Sequence, residues 1–112
     1  MSWDSNPYYN PEAMGLKVVG SVEQEPDYNF NTFVVWETLD GSVLYMGSDS
    51  GCSCPSPFED VHEVEQLERI GSYDQFVRAL DSWRDGMYGS LSGGPSSVDS
   101  LRRKVRRRLA KT

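Results

Sequence analysis

The 112-residue chain has no long apolar run, only two cysteines, a single histidine and few basic residues before its last fifteen. No stretch approaches the roughly 20 apolar residues that a helical membrane span requires, so no membrane span is expected. The opening, MSWDSNPYYNPE, has neither the cationic start nor the apolar core of a signal peptide, which points to the cytoplasm. Cys52 and Cys54 stand one residue apart. A bond between them would close a tight ring that staples nothing distant, which excludes a secreted disulfide scaffold. Free thiols in a reducing compartment are the economical reading. Internal repeats are absent too.

What is present is aromatic. The hydrophobic fraction is 38%, yet aromatic residues make up 12%, each bringing roughly 150–250 Å² of surface to bury. A single small domain with an aromatic core follows from that length and composition. The net charge of −6 hides a segregation. Residues 1–97 hold four basic and sixteen acidic groups (−12), whereas residues 98–112 hold seven basic groups and Asp99 (+6). Charge divided in this way marks an interaction tail.

The opening Asn/Pro/Tyr-rich segment, with Trp3, Tyr8 and Tyr9, reads as irregular structure with one helical turn at 11–14. It is expected to fold back over the sheet, since exposed sheet needs cover. Residues 16–22 form a candidate strand. Residues 30–39 (FNTFVVWETL) and 42–47 (SVLYMG) are strand-like runs around Asp40-Gly41, a strong hairpin signal because glycine tolerates the positive φ of a tight turn. A meander of about three strands is expected.

Ser56-Pro57-Phe58-Glu59 reads as a capping box opening a helix, with Phe58, Val61, Val64, Leu67 and Ile70 recurring every three residues until Gly71. Ser72-Tyr73-Asp74-Gln75 is a second capping box, and its helix carries Phe76, Val77, Leu80 and Trp83 on one face. Residues 86–97 form a Gly/Ser-rich linker. Beyond it, Ser96 or Ser97 can cap a last helix with a seam of Val98, Leu101, Val105 and Leu109. The expected fold is α+β: residues 1–85 as an acidic domain, a small antiparallel sheet of about three strands covered by two helices, then the linker, then a separate basic amphipathic helix over 98–112.

The densest chemical neighbourhood is residues 49–62 (DSGCSCPSPFEDVH), where Cys52, Cys54 and His62 could supply three of the four ligands that zinc needs. The C-x-C spacing argues against a structural zinc knuckle, and no second cysteine pair exists. The plainer reading is a tight turn before a proline-initiated helix, with His62 a surface or core-edge residue. Nothing forms a legible nucleophile, base and orienting group, so a non-enzymatic protein without a cofactor is expected.

The sharpest functional candidate is the basic helix, where Arg102, Arg103, Lys104, Arg106, Arg107, Arg108 and Lys111 surround the apolar seam. Arginine-rich segments bind phosphate backbones with release of counterions. The same charges also suit an acidic protein groove, a membrane surface, a second copy of the chain or the acidic body itself. No aromatic residue interleaves these cations, so base stacking is not expected. The acidic body allows another reading, a carboxylate surface that mimics DNA and inhibits a DNA-acting host enzyme. The scattered placement of its acidic residues favours plain solubility instead.

The segments WDSNPYYNPE and DSGCSCPSPFED, with the strand–turn–strand run between them, resemble a family of small uncharacterised proteins of actinobacteriophages, mycobacteriophage-like, over residues 1 to about 85. The resemblance carries no functional residues across. It implies a phage accessory protein in the cytoplasm of the infected bacterial host that binds or interferes with host machinery; the C-terminal helix, on its own residues, is the element expected to contact a host protein or nucleic acid.

Overall fold

Strand formation is strongest where the sequence is β-branched and aromatic on both faces, and that run becomes the centre of the sheet. The computed structural model describes residues 6–24, 29–52, 58, 60–86 and 91–110. Strands β1 (Leu16–Glu23), β2 (Asn29–Thr38), β3 (Leu44–Cys52) and β4 (Glu68–Arg69) form one antiparallel sheet in the order β1-β2-β3-β4. Helices α1 (Tyr73–Asp85) and α2 (Pro95–Ala110) complete the chain, with 3₁₀ turns at Pro11–Met14 and Val64–Gln66. The class is α+β as expected, with four strands in place of about three.

Both faces of β2 are covered, which explains its uninterrupted apolar run from Phe33 to Trp36. Phe33 and Val35 enter one core with Val22, Met46, Phe76, Leu80 and Trp83, under α1 and α2. Val34 and Trp36 enter a second core on the opposite face, with Leu16, Phe58 and Leu67. Here the opening segment supplies Tyr8 and Met14, folding back over the sheet as the sequence predicts. Its attachment is polar as well, since the Trp36 indole N–H donates to the Pro7 carbonyl at 2.9 Å. Trp3 lies outside the described residues.

The helix expected over 57–70 does not form in the described part of that segment. Phe58 sits at φ 59, and the chain passes through the 3₁₀ turn into β4. Two physical reasons account for the difference. A repeat of three slides around an α-helix, which needs alternating steps of three and four to keep one face. The apolar residues also serve different faces: Phe58 and Leu67 belong to the Trp36 core, but Ile70 belongs to the helix-covered core. The segment must therefore cross the edge of the sheet, which one amphipathic helix cannot do. Backbone pairing to β3 takes over, with the Ile70 N–H donating to the Leu44 carbonyl at 2.9 Å. A capping box exists nearby, between Glu63 and Gln66; the one expected to start at Ser56 lies outside the described residues.

The second expected helix is α1. Ser72 caps it by accepting from the Gln75 N–H at 3.1 Å, and Phe76, Leu80 and Trp83 are buried. Trp83 also donates its indole N–H to Asn31 at 2.7 Å. Within the segment read as linker, Leu91 is 7% exposed and bridges Gln24, while the Ser92 N–H donates to the Glu23 carbonyl at 2.8 Å. Residues 91–94 are thus fastened to the end of β1 before α2 begins.

The β2–β3 connection is longer than a two-residue Asp-Gly turn. Thr38 N–H donates to Val43 and Gly41 N–H to Thr38, with Gly41 at φ 76, leaving residues 39–42 as the loop. Asp40 organises it. One carboxylate oxygen accepts from the Thr38 hydroxyl at 2.6 Å, the Ser42 hydroxyl at 2.7 Å and the Ser42 N–H at 3.0 Å. The Thr38 bond, then those from Ser42, hold this carboxyl at about 2, below its ordinary 3.8. A carboxyl depressed on folding adds stability above its unfolded pKa and loses it as pH falls through the folded one. Wild type should therefore lose melting temperature between about pH 3.8 and about pH 2. Asp40→Asn should be less stable at neutral pH and show a shallower fall over that window. Equal acid slopes in the two proteins would reject the assignment.

Candidate functional site

The apolar seam of α2 recurs at helical spacing, so one side of the helix is committed before any charge is placed. Val98, Leu101 and Val105 are 1%, 2% and 0% exposed and lie in the core beneath α1 and α2; Leu109 packs against its edge. The helix comes close to β1 at Gly20, where an added Cβ would stand 3.0 Å from the Leu101 side chain. A register shift between Val18 and Gly20 accompanies this approach, with Val19 turned into the same core. The seam of the basic helix therefore docks on the chain's own sheet.

That docking sorts the cations. Arg108 donates to Glu37 at 3.1 Å, and Lys17 stands 3.6 Å from the same carboxylate. Glu37 is only 5% exposed, so the two cations compensate a charge that β2 buries. Arg102 pairs with Asp81 of α1 at 2.9 Å, while its Nε is buried without a hydrogen-bond partner. The guanidinium of Arg106 lies 5.6 Å from the centre of the Tyr73 ring, a cation–π placement. Arg102, Arg106 and Arg108 thus hold α2 to the body.

Arg103, Lys104 and Arg107 remain. All three are exposed, and none has an ion-pair or hydrogen-bond partner among the described residues. Arg103 and Arg107 are four residues apart, opposite the seam, and form a ridge on the solvent side. Like charges at that spacing oppose helix formation by about 0.2–0.5 kcal/mol. Asp99, one turn before Arg103, and the C-terminal end of the helix beside Arg107 offset that cost, so the ridge is close to neutral for the fold. Lys111 lies outside the described residues. The division was half legible in sequence: the seam defines the outer face, but nothing local marks Glu37, Asp81 and Tyr73 as the partners of the rest.

The metal reading gains no geometry. His62 is exposed, with its N–H donating to the Gln66 side chain at 2.7 Å. Cys54 and the Cys52 side chain lie outside the described residues. Among the described residues, no group of three or more His, Cys, Asp or Glu is placed to hold a metal ion. No helix among them is long and apolar enough to cross a membrane.

These features define a class: a small α+β protein whose antiparallel sheet is closed on one face by its own basic C-terminal helix. The chain belongs to the family described as Domain of unknown function (DUF7574), whose model matches residues 5–109. The matched span takes in both the sheet and nearly all of α2. No curated protein and no solved structure matches the chain.

Proposed function

We propose that the protein is a non-enzymatic phage accessory protein that binds an anionic host component through the outer ridge of α2, in the cytoplasm of the infected cell. One observation supports the reading above the others. The seam of α2 is consumed by the protein's own core, and Arg102, Arg106 and Arg108 face body side chains, yet Arg103, Lys104 and Arg107 stay exposed and unpaired among the described residues. Cations with no ion-pair or hydrogen-bond partner among the described residues, on a molecule of net charge −6, are suited to a partner outside it.

The test is capture from actinobacterial lysate with the full chain and with R103E/R107E. Both substitutions are on exposed positions, so the variant should keep the wild-type circular dichroism spectrum and melting temperature. Its captured material should fall about tenfold or more, the effect of losing charge pairs across an interface. Undiminished capture by a folded R103E/R107E variant would reject the ridge. It would favour instead the acidic body as the binding surface, as an inhibitor resembling DNA would require.

A further inference from the structure

The ridge offers no large apolar group, and this restricts what can bind it. With Val98, Leu101 and Val105 turned into the core, the solvent side of α2 consists of Ser96, Asp99, Ser100, Arg103, Arg107 and Ala110, with Lys104 exposed at its β1 flank beside Gly20. Its largest apolar group is one methyl. The large hydrophobic residues exposed among the described residues are Tyr9, Val18 and Leu39, none of which is on α2. Protein–protein interfaces derive most of their affinity from aromatic or aliphatic anchors seated in pockets. Membrane-surface helices need an apolar face to insert. Neither is offered here.

A polyanion with a condensed counterion atmosphere is different. Each phosphate neutralised releases counterions to solvent, so affinity arises with no apolar burial at all. Guanidinium groups fit phosphate oxygens in bidentate fashion, and two of the three cations unpaired among the described residues are arginines. Resting on the ridge reading above, we infer that the partner is nucleic acid, held through its phosphate backbone by Arg103, Lys104 and Arg107 without readout of sequence.

The remaining surface bounds the footprint. Sixteen acidic groups against four basic ones over residues 1–97 disfavour a polyanion on the body, and Asp99, one turn before Arg103, narrows the cationic surface of α2 itself. About three phosphates can be engaged by the described cations. That number sets a measurable quantity, because affinity falls with salt in proportion to the phosphates neutralised: a log–log slope of about −2.7 on duplex DNA and about −2.1 on a single strand for three contacts. The protein is thus a weak, salt-sensitive and sequence-tolerant binder.

The experiment titrates the purified full chain against short fluorescent duplex and single-stranded DNA of random sequence across a salt series. Wild type should bind at low salt with slopes of about −2 to −3, and R103E/R107E should flatten the duplex slope to about −1 or lose binding altogether. R69E/R78E changes the net charge equally, at exposed positions off α2, and should keep the wild-type slope. No binding at low salt, or equal losses in both variants, would overturn the inference. A ridge-dependent partner from lysate that survives nuclease treatment would overturn it too, while leaving the ridge itself in place.

Discussion

Truncation after Gly94 should leave a chain that does not fold. Removing α2 takes Val98, Leu101 and Val105 out of the core, at about 1.5–3 kcal/mol for each buried side chain, and so about 5–9 kcal/mol together. It also uncovers Val19, Val22 and Val35 on the sheet face that α2 shields. Glu37 loses Arg108 while remaining a strand residue at 5% exposure, and stripping a buried charge of a partner costs about 3–5 kcal/mol when the pair is fully buried. Arg108 is partly exposed and Lys17 stays, so the loss here is smaller. Even so, the burial loss alone rivals the about 5–15 kcal/mol by which small domains are stable. Circular dichroism and thermal melting should show no cooperative transition for residues 1–94. Adding residues 95–112 as a peptide should restore one, since α2 contributes by docking and a helix of this length is marginal in water alone. A truncated chain that melts cooperatively near the wild-type temperature would show that α2 is an appendage.

The same arithmetic decides how the binding surface should be probed. A separable basic tail could be removed and its partner lost while the body stayed folded. Because the seam is part of the core, loss of binding on deletion reports unfolding and cannot locate an interface. Only substitutions at Arg103, Lys104 and Arg107 separate the two effects, because those side chains make no hydrogen bond or ion pair within the described residues.

Elements with a local cause were readable in the sequence. The β2–β3 hairpin, α1 with its Ser72 cap and the helical seam of α2 each depend on residues within a few positions of one another. Residues 58–70 were not, because their course is set by a tertiary demand: the chain has to leave the Trp36 face, pair with β3 and deliver Ile70 to the other side. Spacing cannot reveal that a segment crosses a sheet edge. The site divides in the same way. The outer face of α2 follows from its seam, whereas the neutralisation of Arg108 depends on Glu37, 71 residues away. Nothing local marks Glu37 as buried; its partners are Lys17 on β1 and Arg108 on α2. Gly20 carries no signal as a contact point until the helix is seen above it.

Trp36→Ala should be the most damaging single substitution on the opposite face. Its ring is fully buried and meets Phe58 edge-on, with centroids 5.3 Å apart at 82°. Gly47 keeps space for it, since an added Cβ there would approach Phe58, Leu67 and the Trp36 ring at 3.3–3.4 Å. That arrangement is rigid on three sides, so the cavity cannot collapse easily, and truncation should cost about 3–5 kcal/mol. For a domain near this size the melting temperature should drop by more than about 10 °C. Trp36→Phe separates packing from polar attachment. It fills most of the space but leaves the Pro7 carbonyl without its indole donor, a smaller loss of about 1–3 kcal/mol. Hydrogen exchange should localise that loss: the Tyr8 and Tyr9 amides, which donate to Asn6 at 2.7 and 3.1 Å, should exchange faster in Trp36→Phe, with amides of α1 unchanged. A Trp36→Ala protein destabilised by under about 1 kcal/mol would mean that the opening segment and Phe58 only rest on the sheet. The expected loss makes the sheet a two-sided structure, with α2 as necessary on one side as Trp36 is on the other.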